Sequence, residues 1–236
     1  MIVDVRGLPT YVESSGEGTT ILFLHGAAEW IGYSSKLVAR LAETYRVVQP
    51  ERRGHGRTPD RLGDLTYADM TEDTLALTGA MGLERPHLVG FSDGGIIALE
   101  AAMARPDRIG KVVAIGANVS VSGLTDEALE WLRGVTPDTW RPREAAKKHA
   151  DWPVFGQKVI DMLRREPEIP LPDLGRITTP VLVIGGDRDM IRLEHLVAIH
   201  RAIADSELCI IPGASHELTV ELPDLLAEIT RRFLGQ

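Results

Sequence analysis

Short, almost unbroken apolar runs recur along this chain, each leading into a glycine-bearing turn, and nothing else in the sequence constrains the fold as strongly. Residues 21–24 run into His25-Gly26, and residues 46–48 precede Pro50-Glu51-Arg52-Arg53-Gly54-His55-Gly56. Residues 87–89 lead to Gly90-Phe91-Ser92-Asp93-Gly94-Gly95, and residues 111–115 to Gly116-Ala117-Asn118. Residues 181–184 end at Gly185-Gly186, and residues 208–211 at Pro212-Gly213. A strand with one wet face alternates apolar and polar side chains; a continuous run is what a strand looks like when both faces of its sheet are covered. Helical patterns lie between the runs, at residues 34–44, 67–81, 96–104, 193–204 and 223–233. Strands that alternate with helices predict an α/β fold with a mostly parallel central sheet flanked by helices.

One stretch breaks the alternation. Residues 118–176 hold no convincing strand, but three candidate helices near 125–133, 143–150 and 155–165, punctuated by prolines. This predicts a core made of residues 1–117 and 177–236, with a short helical cap at 118–176 over one end of the sheet. A chain of 236 residues suits one such core.

The formal net charge of −8 repels phosphate backbones, so nucleic acid is not an expected partner. The one cysteine, Cys209, rules out a disulfide within the chain. The amino-terminal residues lack the basic-then-apolar pattern of a signal peptide, and no apolar run approaches the ~18 residues of a membrane span. The expectation is a soluble cytoplasmic protein, a monomer or small homo-oligomer, with no membrane partner.

Gly90-Phe91-Ser92-Asp93-Gly94 fits G-x-S-x-G in a telling context, with an apolar strand before it and an apolar helix after it. A serine on that sharp turn projects its hydroxyl above the sheet. The helix start behind it offers free N–H groups to developing negative charge. A serine hydroxyl needs an adjacent base. Of seven histidines, His216 follows the last apolar run, which puts it at the same sheet edge as Ser92 because parallel strands share their carboxyl end. His195 and His200 sit five apart on one helix and therefore on different faces, which gives no metal pair. An orienting acid should come from a strand end between the two, and Gly186-Asp187-Arg188-Asp189 offers two aspartates that chemistry does not separate. Donors for a tetrahedral oxyanion are expected from the backbone N–H of Asp93 and from the loop His25-Gly26-Ala27-Ala28, where Ala27 is the better placed.

Taken in order, His25-Gly26, Arg53-Gly54-His55-Gly56, Gly90–Gly95, Gly186–Asp189 and Gly213-Ala214-Ser215-His216 resemble the α/β-hydrolase superfamily over nearly the whole chain. The resemblance implies the order Ser92, acid, His216, and selects Asp189 over Asp187 as the last residue of a G-x-x-D string. The chain departs from the family at Glu51, where aspartate is commoner. Ser92-Asp93-Gly94-Gly95-Ile96 and Ile115-Gly116-Ala117-Asn118 look like the biphenyl-hydrolase-like group, which includes the valacyclovir hydrolases. That implies a serine esterase of α-amino-acid esters, with Asp93 binding the substrate ammonium. Asp93 would serve equally as a first-turn partner of the helix dipole. Ala28, Glu29 and Trp30 are close enough in sequence to reach substrate, as are Trp131 and Trp140 in the cap. Trp152 is a further candidate, and Arg52 and Arg53 are expected to fix a turn. No metal or organic cofactor is implied. A carbon–carbon bond hydrolase of ring-cleavage products, a lactonase and a ligand receptor on the same fold remain alternatives.

Overall fold

The computed structural model describes residues 1–140 and 151–235. Its strands form one sheet: β1 (Ile2–Val5), β2 (Leu8–Ser15), β3 (Thr20–Leu24), β4 (Arg46–Pro50), β5 (His87–Phe91), β6 (Val112–Ile115), β7 (Val181–Gly186) and β8 (Ser206–Ile211). The spatial order is β1-β2-β4-β3-β5-β6-β7-β8. The strands from β3 to β8 are parallel, and β2 lies antiparallel to both β1 and β4.

The two amino-terminal strands escaped the sequence reading, and their burial explains why. In β2 buried residues alternate with exposed or partly exposed ones, so no continuous apolar run marks it. Arg6 and Gly7 join β1 to β2 with φ of 55° and 76°, the paired positive values that a two-residue hairpin turn demands.

The helices are α1 (Ser35–Leu41), α2 (Tyr67–Ala80), α3 (Asp93–Ala104), α4 (Asp126–Gly134), α5 (Trp152–Arg165), α6 (Leu193–Ala202), α7 (Leu218–Glu221) and α8 (Pro223–Leu234). Alternate residues of each central strand feed separate cores. Leu22, Leu24, Leu88 and Ala114 pack with Met70 and Leu77 of α2, Ile97 and Leu99 of α3, and Leu196 of α6. Ile21, Phe23, Val89 and Ile115 pack on the opposite face with Leu37 and Leu41 of α1 and Leu226 and Phe233 of α8. Burial on both faces, at about 1.5–3 kcal/mol per large aliphatic side chain, is what the unbroken runs encode.

Between β6 and β7 the described chain is helical, with α4 and α5 around a small cluster of Leu132, Val135 and Ile160. Thr125 caps α4 by accepting the Ala128 N–H. Two isolated bridges, Ser120–Glu168 and Leu124–Ile191, tie this segment to itself and to the loop after β7. The helix expected over 143–150, with His149, lies outside the described residues. No helix among the described residues is long and apolar enough to cross a membrane.

Candidate active site

Because β3, β5, β7 and β8 run in one direction, the loops at their carboxyl ends gather on one edge of the sheet. Ser92 follows β5 directly, at the turn into α3, with φ 52° and ψ −119°, a strained conformation for a residue with a side chain. The close passage of chain around it explains the flanking glycines. A Cβ on Gly90 would sit 2.1 Å from the Gly94 carbonyl oxygen, and one on Gly94 would sit 2.1 Å from that of Leu24. The Ser92 N–H donates to Ile115 O at 2.8 Å, and its carbonyl accepts from Gly95 and Ile96 to start α3.

His216 Nε2 stands 3.1 Å from Ser92 Oγ, and its Nδ1 stands 2.7 Å from Asp189 Oδ1. Asp189 also accepts the Ile191 N–H at 3.2 Å, which locks the carboxylate to its loop. Asp187 does something else: it accepts the Gly213 N–H at 2.6 Å and pins the turn after β8. Burial pushes the His216 pKa down, but the hydrogen bond and charge of Asp189 outweigh burial and raise it above the ordinary value, with the charges of Glu217 and Asp93 adding to the rise.

In the loop after β3, the Ala28 N–H donates to His55 Nε2 at 3.2 Å. Among the described residues no protein acceptor takes the N–H of Ala27 or of Asp93. Ala27, Ser92 and His216 line one cavity of about 510 Å³, together with Ala28, Glu29, Tyr33, Trp131, Trp140 and Glu217. A smaller chamber of about 50 Å³ adjoins it and shares Ser92, Trp131, Leu163, Met190 and His216; Asp93, Asn118 and Glu166 border it.

Trp30, expected within reach of substrate, lines neither chamber. After Ala28, at φ 52°, the chain turns back, and the Trp30 carbonyl accepts the Tyr33 N–H. That places the Trp30 ring over Gly32 and presents Tyr33 to the cavity instead. Trp152 lines neither chamber and donates its indole N–H to Pro137 O at 2.9 Å. It continues an edge-to-face row that runs from Trp131 through Trp140, with ring separations of 5.7 and 5.9 Å.

Asp93 is buried at 1% exposure. Its Oδ1 accepts the Tyr67 hydroxyl at 2.7 Å, and its Oδ2 lies 3.8 Å from Arg52 Nη1 with no hydrogen-bond partner among the described residues. Burial raises its pKa, while Arg52 and Tyr67 draw it back. Tyr67 and the site roles of Arg52, Tyr33 and Glu217 were not foreseen. Glu217 alone carried a signal, since it directly follows His216; it accepts the Tyr33 hydroxyl. Arg53 pairs with Asp73 and Asp69, a turn-fixing role. Glu51 is buried against Arg57, whose Nη2 lies 2.9 Å away, and does not line the cavity. Among the described residues no group of three metal-ligating side chains forms a site.

A model of the alpha/beta hydrolase family matches residues 21–229. The chain is 28% identical to human serine hydrolase BPHL, over 98% of this chain and 85% of that protein. It is 25% identical to the 2-hydroxy-6-oxo-6-phenylhexa-2,4-dienoate hydrolase of Burkholderia cepacia, over 99% and 94% of the two chains. Its fold superposes on a meta-cleavage product hydrolase from Pseudomonas fluorescens with a TM-score of 0.83 at 18% identity, covering 100% and 97%. A thermophilic esterase from Thermogutta terrifontis superposes with a TM-score of 0.80 at 22% identity, covering 100% and 97%. With the family's pattern running through most of its length and the family's sheet beneath it, the chain belongs to the α/β-hydrolase family.

Proposed function

We propose that the protein is a serine hydrolase of small carboxylic esters that works through an acyl-enzyme. The observation that carries this reading is the hydrogen-bonded row Ser92–His216–Asp189 opening on a cavity of about 510 Å³. His216 takes the Ser92 proton as the hydroxyl oxygen attacks the ester carbonyl. The Ala27 and Asp93 N–H groups hold the oxyanion, and His216 then returns the proton to the leaving alcohol. Asp189 keeps the imidazole proton on Nδ1 and stabilises the charged ring. Water repeats the attack and frees the acid and Ser92. The segment 118–176 acts as a cap that supplies Trp131 and Trp140 to the pocket wall.

The lining favours neutral or cationic esters over anionic substrates. Among the described residues the larger cavity carries Glu29, Glu217 and Glu221 and no lysine or arginine. A dienoate ring-cleavage acid would meet repulsion there, which sets the carbon–carbon hydrolase reading second. Asp93 supports the narrower reading of α-amino-acid esters, because it borders the smaller chamber and its Oδ2, 3.8 Å from Arg52 Nη1, has no hydrogen-bond partner among the described residues and would accept an ammonium donor.

The test is turnover of matched neutral, cationic and anionic esters beside a dienoate diketone and a lactone. Neutral and cationic esters are expected to outpace anionic ones by about tenfold or more. Turnover of the diketone with none of the esters would overturn the reading in favour of carbon–carbon cleavage. Single labelling of Ser92 with no turnover of anything would favour a receptor.

The pH profile gives a second check. The base must be neutral to act, so kcat/KM should fall as pH drops through the His216 pKa. Since that pKa is raised, the midpoint should lie above the ordinary histidine value of 6.5. Glu217→Gln removes one of the raising charges and should move the midpoint down. A midpoint below 6.5, or one that Glu217→Gln leaves unmoved, contradicts this electrostatic account.

A further inference from the structure

The loop after β3 holds its shape against a local cost. Ala28 adopts φ 52°, a left-handed conformation that its Cβ disfavours. Three successive peptide planes in this loop are each tethered. The Gly26 N–H donates to Glu29 Oε2 at 2.7 Å and fixes the plane before Gly26. The Gly26 carbonyl accepts from Arg52 Nη2 at 2.7 Å and fixes the next plane. The Ala28 N–H donates to His55 Nε2 at 3.2 Å and fixes the third.

The middle plane carries the Ala27 N–H. In a trans peptide the C=O and the following N–H point in opposite directions. The Gly26 carbonyl is drawn to the buried Arg52, so the Ala27 N–H is turned the other way, and Ala27 lines the larger cavity.

Glu29 differs from the other two tethers. Arg52 and His55 reach in from the turn after β4, whereas Glu29 folds back from within the loop and lines the cavity. Its carboxyl seats directly on Gly26, where a Cβ would come within 3.0 Å of Glu29 Oε1 and Oε2. Holding a carboxyl there is costly. Burial drives its pKa well above the ordinary value, and the charges of Glu217 and Asp93 push the same way. A leucine would fill similar space without the desolvation penalty, so packing does not account for an acid at this position.

We propose that Glu29 is a positioning residue: by holding the Gly26 amide it sets the loop so that the Ala27 N–H meets the oxyanion of the transition state. This rests on the serine-hydrolase reading above. A donor displaced by a fraction of an ångström is lost mainly in the transition state, where charge on the oxygen is greatest, so the effect should fall on kcat and spare KM.

The experiment compares Glu29→Leu, Glu29→Gln and Gly26→Ala in ester turnover and in the rate of Ser92 phosphonylation by a fluorophosphonate. Glu29→Leu should lower kcat by about 10- to 100-fold with KM little changed, and should slow phosphonylation in parallel. Glu29→Gln keeps an acceptor for the Gly26 N–H and should restore most of the rate. Gly26→Ala crowds the carboxyl, which must give by a few tenths of an ångström, and should reproduce part of the loss, and the Gly26→Ala, Glu29→Leu pair should not be additive. If Glu29→Leu does not fold, Gly26→Ala and Glu29→Gln carry the test. Wild-type rates in Glu29→Leu, or in Gly26→Ala where Glu29→Leu does not fold, overturn the proposal. So does equal loss in the Gln and Leu variants, which would point to charge, or a rise in KM at constant kcat, which would point to substrate binding. A wild-type protein that neither turns over esters nor labels at Ser92 overturns the hydrolase reading and this one together.

Discussion

Ser92→Ala is expected to remove ester turnover, a loss of about 10⁶ in kcat, because catalysis of this kind collapses once the group that accepts the acyl chain is gone. The change takes away one hydroxyl whose partner is His216 Nε2 at 3.1 Å. His216 lines the open cavity, so its freed nitrogen can turn to water, and stability should stay within about 1 kcal/mol of wild type. The strained turn at φ 52° remains, held by Gly90, Gly94 and the bond from the residue 92 N–H to Ile115 O. Steady-state release of p-nitrophenol from a short ester measures the loss. A variant that keeps its melting temperature and its activity would remove Ser92 from the chemistry.

Asp189→Asn is expected to cost about three to four orders of magnitude in kcat, and either placement of the amide explains why. If the amide oxygen keeps the Oδ1 position, it retains the bonds to His216 Nδ1 and the Ile191 N–H. The NH₂ then occupies the place of Oδ2, a buried atom with no hydrogen-bond partner among the described residues, and the charge that would stabilise the imidazolium is lost. If the amide flips, its NH₂ meets Nδ1 and forces the imidazole proton onto Nε2, where it blocks transfer from Ser92. In both cases the acid limb of the pH profile should shift down, since the Asp189 hydrogen bond and charge hold the His216 pKa up. Asp187→Asn is the control. Its partner is the Gly213 N–H, which an amide oxygen also serves, so the rate should change by less than about threefold. Kinetics of the two variants side by side decide the assignment.

The interior strands were legible because burial on both faces leaves an unbroken apolar run. The same reasoning hid β1 and β2, whose half-wet faces alternate and whose hairpin turn is Arg6-Gly7 rather than an asparagine-glycine pair. The three residues of the Ser92 row could be found because each follows a strand of one parallel set, so chain order predicts a shared edge. Choosing Asp189 over Asp187 needed family resemblance at first; in the structure the two carboxylates face different partners. Trp30 lies away from both chambers because nearness in sequence to the loop after β3 says nothing about which way the chain turns after a left-handed residue such as Ala28. The support beneath the site was out of reach. Arg52 and Tyr67 converge on Asp93 from the turn after β4 and from the start of α2, and no local pattern encodes that meeting.

The most direct measurement is the mass of the protein quenched during turnover of a slow ester, with the modified peptide mapped. The account predicts a single acyl group on Ser92 that forms at the rate of the first product burst and is absent from Ser92→Ala. Sustained hydrolysis with no acyl group on Ser92, or an acyl group carried by another residue, would contradict it.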